Sequence, residues 1–160
     1  MTNGFARLED LHAFIGRELA LSDWILITQE QVDAFASATR DLDWMHVDPA
    51  RARTGPIGQT IAQGFLTLSL LTFFSHESRF IPADVDYALN YGVDRVRWMT
   101  PVKVGASIRN RARLLDLQRK AADSFLIKTE NTIEILGEDK PAMVAEWLGL
   151  LRRSAAVSSR

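Results

Sequence analysis

From Val85 to the end of the chain the apolar residues recur at every second position, whereas before it they cluster at spacings of three and four. This change of period divides the chain into a helical first half and a second half built of strands. Val85, Tyr87, Leu89 and Tyr91 alternate, Gly92 interrupts, and Val96 and Trp98 resume on the shifted parity, which predicts a bulge at Gly92. Ile108, Asn110, Ala112 and Leu114 oppose Arg109, Arg111 and Arg113. Phe125, Ile127, Thr129, Asn131, Ile133 and Ile135 oppose Lys128, Glu130, Thr132 and Glu134. Met143, Ala145, Trp147 and Leu151 form the last alternation, joined to the previous one by a tight turn from Gly137 to Lys140. Long strands with one polar face predict an antiparallel sheet, not a βαβ layout.

In the first half, Leu8, Leu11, His12 and Ile15 predict a short amphipathic helix that ends at Gly16, with His12 at its edge. Trp24 to Ile27 is a brief strand. Thr28 and Gln31 have capping-box spacing, and Val32, Phe35 and Ala36 give the helix that follows one apolar stripe, fading near Ala38 to Arg40. Asp41 to Val47 has neither period and is expected to be a loop; Asp48-Pro49 then starts a short helical turn. Gly55-Pro56 and Gly58 mark a second connection. From Ile61 to Phe74 apolar residues fall on nearly every side, the pattern of a helix enclosed by other structure, with His76 in the loop after it. The class is therefore α+β: an antiparallel sheet of about five strands wrapped around one central apolar helix, the hotdog arrangement. Residues 1–153 are expected to form this single domain and residues 154–160, small and polar, a disordered tail. One copy leaves a sheet edge uncovered, so the protomers are expected to dimerise edge to edge with twofold symmetry.

Composition narrows the function. The 160 residues, 47% hydrophobic, suit one domain with a substantial core. Nineteen basic against twenty acidic side chains give a formal charge of −1, which offers no nucleic-acid or membrane footprint. Without cysteine there is no disulfide framework and no thiolate nucleophile or zinc ligand. Arg7, Glu9 and Asp10 stand where a signal peptide would need an apolar run, and Phe65 to Phe74 is too short to span a bilayer, so a cytoplasmic location is expected.

The candidate chemistry lies between the two halves. Asp41 and His46, five residues apart, can reach one water from the same segment, and Gly64 near the start of the next helix can offer a bare backbone N–H to an oxygen. That set suits acid/base chemistry beside a carbonyl. An aspartate and a histidine in a loop also arise as a turn-capping acid and a surface imidazole, and Gly64 also serves close helix packing.

The runs DLDWMHVDP, TIAQGFLTLSLL and LNYGVDRVRWMTPVKVG, within roughly residues 24 to 110, resemble the MaoC-like family of R-specific enoyl-thioester hydratases and dehydratases, in particular its nodulation-protein-N-like branch. The resemblance implies a catalytic acid/base pair at Asp41 and His46 and a carbonyl-binding N–H at Gly64. It implies reversible hydration of a trans-2-enoyl thioester of coenzyme A or acyl carrier protein to the (R)-3-hydroxyacyl thioester, with no metal and no redox cofactor. Such chemistry needs a base to activate water, an acid to protonate the α carbon, and a donor for the thioester oxygen as it gains enolate charge. Arg40 stands where the family carries glycine before the aspartate, Asp43-Trp44-Met45 replaces its asparagine, proline and aliphatic spacer, and Gln63 replaces a histidine before the glycine. Further substrate contacts are expected from Gln63 and Thr72, the latter shaping the acyl pocket or bonding back to its own helix. Arg95, Arg97 and Lys103 either face solvent on their strand or meet coenzyme A phosphates or an acidic carrier protein. A hotdog thioesterase and a non-catalytic acyl-thioester binder remain as alternatives.

Overall fold

The computed structural model describes residues 5–153; the expected tail, 154–160, lies outside them. A 3₁₀ helix, Leu8–Phe14, leads into two short strands, β1 (Glu18–Leu21) and β2 (Ile25–Leu26). Helices α1 (Gln29–Thr39), α2 (Trp44–Val47), α3 (Pro49–Thr54) and α4 (Gly64–Glu77) follow, and then the strands β3 (Tyr87–Trp98), β4 (Ser107–Ala121), β5 (Ser124–Ile135) and β6 (Met143–Arg152). The strands make one antiparallel six-stranded sheet in the order β1-β4-β5-β6-β3, with β2 beside β1 on the same edge of β4.

The two-residue period sets the inner face as expected. Every second residue of β5 from Phe125 to Ile135 is buried, and on β4 Ile108, Asn110, Ala112 and Leu114 point the same way. Phe74, Leu71 and Leu66 of α4 pack onto this face with Ile133, Met143 and Ala145. A second cluster, with Leu8, Leu11, Phe80 and Phe125, fills the other end. Asn110, Asn131 and Thr129 are buried polar residues on that face and bond in a chain: Asn110 Nδ2 donates to Asn131 Oδ1 at 3.0 Å, and Asn131 Nδ2 to Thr129 Oγ1 at 2.8 Å.

Several expectations need correcting. The sheet has six strands where about five were expected, because Glu18–Leu21 adds β1, too short and too charged for its period to be read. The first helix is 3₁₀, and Asp41 to Val47 is only partly loop: Asp43 Oδ1 accepts from Met45 N at 3.0 Å and caps α2. Helix α4 starts at Gly64 because Ile61 and Ala62 are extended, Ile61 bridging Lys103 and Ala62 N donating to Val102 O at 2.8 Å. His76 is in its last turn, not in a loop. The helix is not enclosed within one copy: Phe65 is 65% and Phe73 42% exposed. The bulge at Gly92 is present, and a second one between Asp94 and Arg97 carries Arg95 at φ 50°.

On the outer face Glu134 receives Arg109 Nε at 2.7 Å and Arg111 Nε at 2.8 Å, and Arg111 also pairs with Glu18 of β1. Burial pushes the Glu134 carboxyl up, but the two guanidinium groups outweigh it and hold it below the ordinary carboxylate value. A group depressed in this way stabilises fully above the ordinary carboxylate range and loses that contribution as pH falls through its folded value. Glu134→Gln is therefore expected to cost about 1 kcal/mol at neutral pH. In thermal melts the gap from the parent should narrow below about pH 4; a gap that stays constant with pH would rule out the ion-pair origin.

Candidate active site

His46 sits in α2 and is 8% exposed. Its Nδ1 lies 2.7 Å from the carbonyl oxygen of Ile61. A carbonyl only accepts, so Nδ1 carries the proton, and in the neutral imidazole the lone pair is on Nε2. That nitrogen stands 3.9 Å from Asp41 Oδ2, too far for a direct hydrogen bond. A water oxygen about 2.8 Å from each would fit between them. Asp41 follows Arg40, the left-handed C-cap of α1 at φ 62°, so the chain reverses just before the carboxylate.

Gln29 at the start of α1 holds this arrangement from behind. Its Nε2 donates to His46 O at 2.7 Å, while its Oε1 accepts from the hydroxyl of buried Thr60 at 2.6 Å. One side chain thus ties α2 to the segment whose next carbonyl receives the imidazole. The spacer residue Trp44 packs under Arg51, 4.6 Å from its ring centroid, and against Gly55, where a Cβ would meet the indole at 3.0 Å.

His46 opens into a cavity of about 240 Å³ lined also by Ala62, Gly64, Thr67, Trp98 and Met99. Gly64 is the first residue of α4, where backbone N–H groups have no partner within the helix and the dipole favours negative charge. The preceding side chain does not cap them: Gln63 is 2% exposed and turns inward, its Nε2 donating to Val32 O at 3.3 Å. Trp98 Nε1 donates to Gly64 O at 2.8 Å, and a Cβ on Gly64 would meet that nitrogen at 2.9 Å. The indole thus explains why residue 64 lacks a side chain.

Two further cavities continue along α4. One, of about 300 Å³, lies between Leu68, Thr72, Val93 and Trp147; the next, of about 200 Å³, shares Thr72, Asn90 and Trp147 with it and extends to His76, Ala88 and Thr129. Through these shared residues the two make one groove between α4, β3 and β6, while the cavity at His46 lies toward the start of α4 and shares no lining residue with them. A larger cavity of about 540 Å³ lies elsewhere, against β1, with Glu18, Asp23 and Glu77 around it. It holds none of the candidate residues, and its carboxylates would repel phosphates.

The structure therefore brings Asp41 beside His46 and puts His46 and Gly64 on one cavity, whose lining does not include Asp41; Thr72 lies farther along α4, its hydroxyl bonded back to Ser69 O at 2.9 Å. It does not bring Gln63 into the cavity. Arg95 pairs with Glu146 at 3.4 Å and Arg97 donates to its neighbour Val96 O at 2.7 Å; both side chains, like exposed Lys103, lie outside the cavity lining. Gln29, Thr60, Thr67 and Trp98 were not singled out for the site from the sequence, although Thr60 and Thr67 lie in the quoted TIAQGFLTLSLL run and Trp98 in the LNYGVDRVRWMTPVKVG run; Gln29 lies outside every quoted run.

A family model described as "MaoC like domain" matches residues 10–134. The 3-hydroxyacyl-thioester dehydratase Z of Mycobacterium tuberculosis is 42% identical over 142 residues, 89% of this chain and 93% of that one. Nodulation protein N of Rhizobium leguminosarum bv. viciae is 42% identical over 146 residues, 91% of each. Among solved structures, the (R)-hydratase from A. caviae involved in PHA biosynthesis superposes with a TM-score of 0.70 at 21% identity, over 84% of this chain and 94% of that one.

The contact between Gly64 and the indole gives a test. Gly64→Ala should cost about 1–3 kcal/mol through overpacking. Combined with Trp98→Phe, which removes the indole nitrogen, much of that loss should return; a double-mutant cycle by chemical denaturation with no coupling would show that the two do not touch.

Proposed function

The chain belongs to the MaoC-like dehydratase family, and from that footing we propose that it adds water reversibly to a trans-2-enoyl thioester to give the (R)-3-hydroxyacyl thioester. The observation that carries this reading is the anchored imidazole, its Nε2 aimed across 3.9 Å at Asp41. In the hydration direction His46 Nε2 takes a proton from water as the oxygen attacks the β carbon. Asp41 orients the same water, and the proton returns to the α carbon through the pair. The thioester oxygen gains enolate charge against the Gly64 N–H at the start of α4. Water and the thioester are the only reactants needed. The R configuration is part of the proposal and rests on the resemblance to the R-specific family.

The remaining parts of the proposal concern what surrounds the pair. The acyl chain runs along the groove beside α4, past Leu68 and Thr72, while Arg95, Arg97 and Lys103 serve the phosphates of coenzyme A or a carrier protein. The cytoplasm is the compartment assumed. The protein works as a dimer joined along β3, a twelve-residue edge strand on which Tyr87, Leu89, Tyr91 and Val93 are exposed. Arg40 and Gln63, the motives for a binding-only protein, leave the pair alone: among the described residues no ion pair joins Arg40 to Asp41, and Gln63 bonds to α1.

Purified protein is expected to consume the enone absorbance of crotonyl-coenzyme A without releasing thiol. Asp41→Asn and His46→Gln should each lower kcat by about 10²–10⁴ while the fold stays intact by circular dichroism. Thiol release would move the assignment to a thioesterase, and binding without turnover on short, long and carrier-linked substrates to a binder. Sedimentation equilibrium of the same preparation should give a dimer; a monomer at all concentrations would overturn the pairing along β3.

A further inference from the structure

The far end of the groove is less apolar than a hydrocarbon chain requires. Thr72, Ser75, His76, Asn90 and Thr129 all line the terminal cavity of about 200 Å³. Thr129 is 2% exposed. Its hydroxyl accepts from Asn131 Nδ2 at 2.8 Å and, among the described residues, donates to none. The hydrogen-bond chain has one sense throughout, from Asn110 Nδ2 to Asn131 Oδ1 and from Asn131 Nδ2 to Thr129 Oγ1. The last proton in that sequence belongs to Thr129, in the cavity wall. A buried hydroxyl proton without an acceptor is destabilising, so the cavity is matched to a ligand that brings an acceptor.

The other polar groups fit the same ligand. The hydroxyls of Ser75 and Thr72 donate to helix carbonyls at 2.8 and 2.9 Å, which leaves their oxygens as acceptors. The Asn90 amide makes no side-chain hydrogen bond among the described residues and can act as donor or acceptor. Trp147, Ile127 and Leu151 supply the apolar walls.

Resting on the groove being the acyl channel, we infer that this cavity selects acyl chains bearing an oxygen function, a ketone or hydroxyl, and that Thr129 is the residue that reads it. The helix sets the distance. From Gly64, where the thioester oxygen is placed, to the level of Thr72 and Ser75 is about 12–16 Å at the rise of an α-helix. At the roughly 1.25 Å that each staggered C–C bond advances, the oxygen lies about ten to thirteen carbons from the thioester.

The test uses saturated thioesters, so that it does not depend on turnover. The probes are dodecanoyl-coenzyme A, the same compound with a ketone one carbon from the chain end, and an isomer with the ketone at mid-chain. Calorimetry on the full chain should give a ratio of plain to terminal-ketone Kd that falls about three- to tenfold in Thr129→Val and returns in Thr129→Ser. The mid-chain ketone should show no such gain in the parent protein, a comparison that needs no variant. Equal ratios in the parent and Thr129→Val, equal gains for both ketones, or no binding of any probe would overturn the inference. Turnover of crotonyl-coenzyme A, assayed separately, bears on the hydratase reading alone. A terminal-ketone preference without turnover would keep Thr129's role and discard the hydratase.

Discussion

The hydrogen bond from His46 Nδ1 to the carbonyl of Ile61 is the constraint on which the site depends. It fixes which imidazole nitrogen is basic, and it joins α2 to the extended pair Ile61-Ala62 that leads into α4. Because that pair is held by Lys103 and Val102 on the other side, the first turn of α4 cannot shift without breaking backbone bonds. Acid/base pair and helix N-terminus are thereby set at a fixed separation. Gln29 repeats the linkage one bond farther back, bonding both His46 O and the Thr60 hydroxyl. Two elements distant in sequence are registered by groups that need not touch substrate.

The same scaffold leaves one side unfinished. Sheet and helix cover each other where Leu66, Leu71 and Phe74 meet β4 to β6, yet β3 is exposed along almost its whole length, and Phe65 and Phe73 face outward. An edge strand of this length with aromatic and branched side chains is normally paired or shielded. The groove that holds Thr72 and Thr129 has β3 as one wall, so whatever covers that edge also bounds the groove.

Legibility in the sequence followed the strength of the period. The inner faces of β4 and β5 were readable residue by residue, polar members included, because one alternation holds from Ser107 to Leu114 and another from Phe125 to Ile135. Asp41, His46 and Gly64 were singled out because their types suit the chemistry and their neighbours resemble a family, and the structure adds where they stand. What stayed hidden depends on contacts across long sequence distances. The extension of Ile61 and Ala62 is imposed by Val102 and Lys103, so composition alone predicted helix there. β1 is four residues with a glutamate, and its sheet membership comes from pairing with β4. The roles of Gln29 and Trp98 come from partners 17 and 34 residues away, which no local pattern encodes.

Arg40 shows how a departure from a motif can be read physically. The family pattern has glycine before the aspartate, and here the residue at that place ends α1 in the left-handed conformation, φ 62° and ψ 22°. Glycine enters that region without a Cβ penalty, whereas an L side chain pays about 1–2 kcal/mol. What the position contributes is thus a backbone reversal, and arginine supplies it at some strain. Its guanidinium takes no part in holding Asp41: among the described residues no ion pair joins the two, and the carboxylate instead stands 3.9 Å from His46 Nε2. The substitution alters the stability of a helix end while leaving the direction of the carboxylate intact. By the same reasoning Gln63 differs from histidine in a side chain that points into the core, while the backbone it precedes, the start of α4, is unchanged in purpose. At position 40 the requirement is on the path of the main chain, and at position 63 the side chain turns away from the cavity, so neither altered side chain by itself argues against the chemistry.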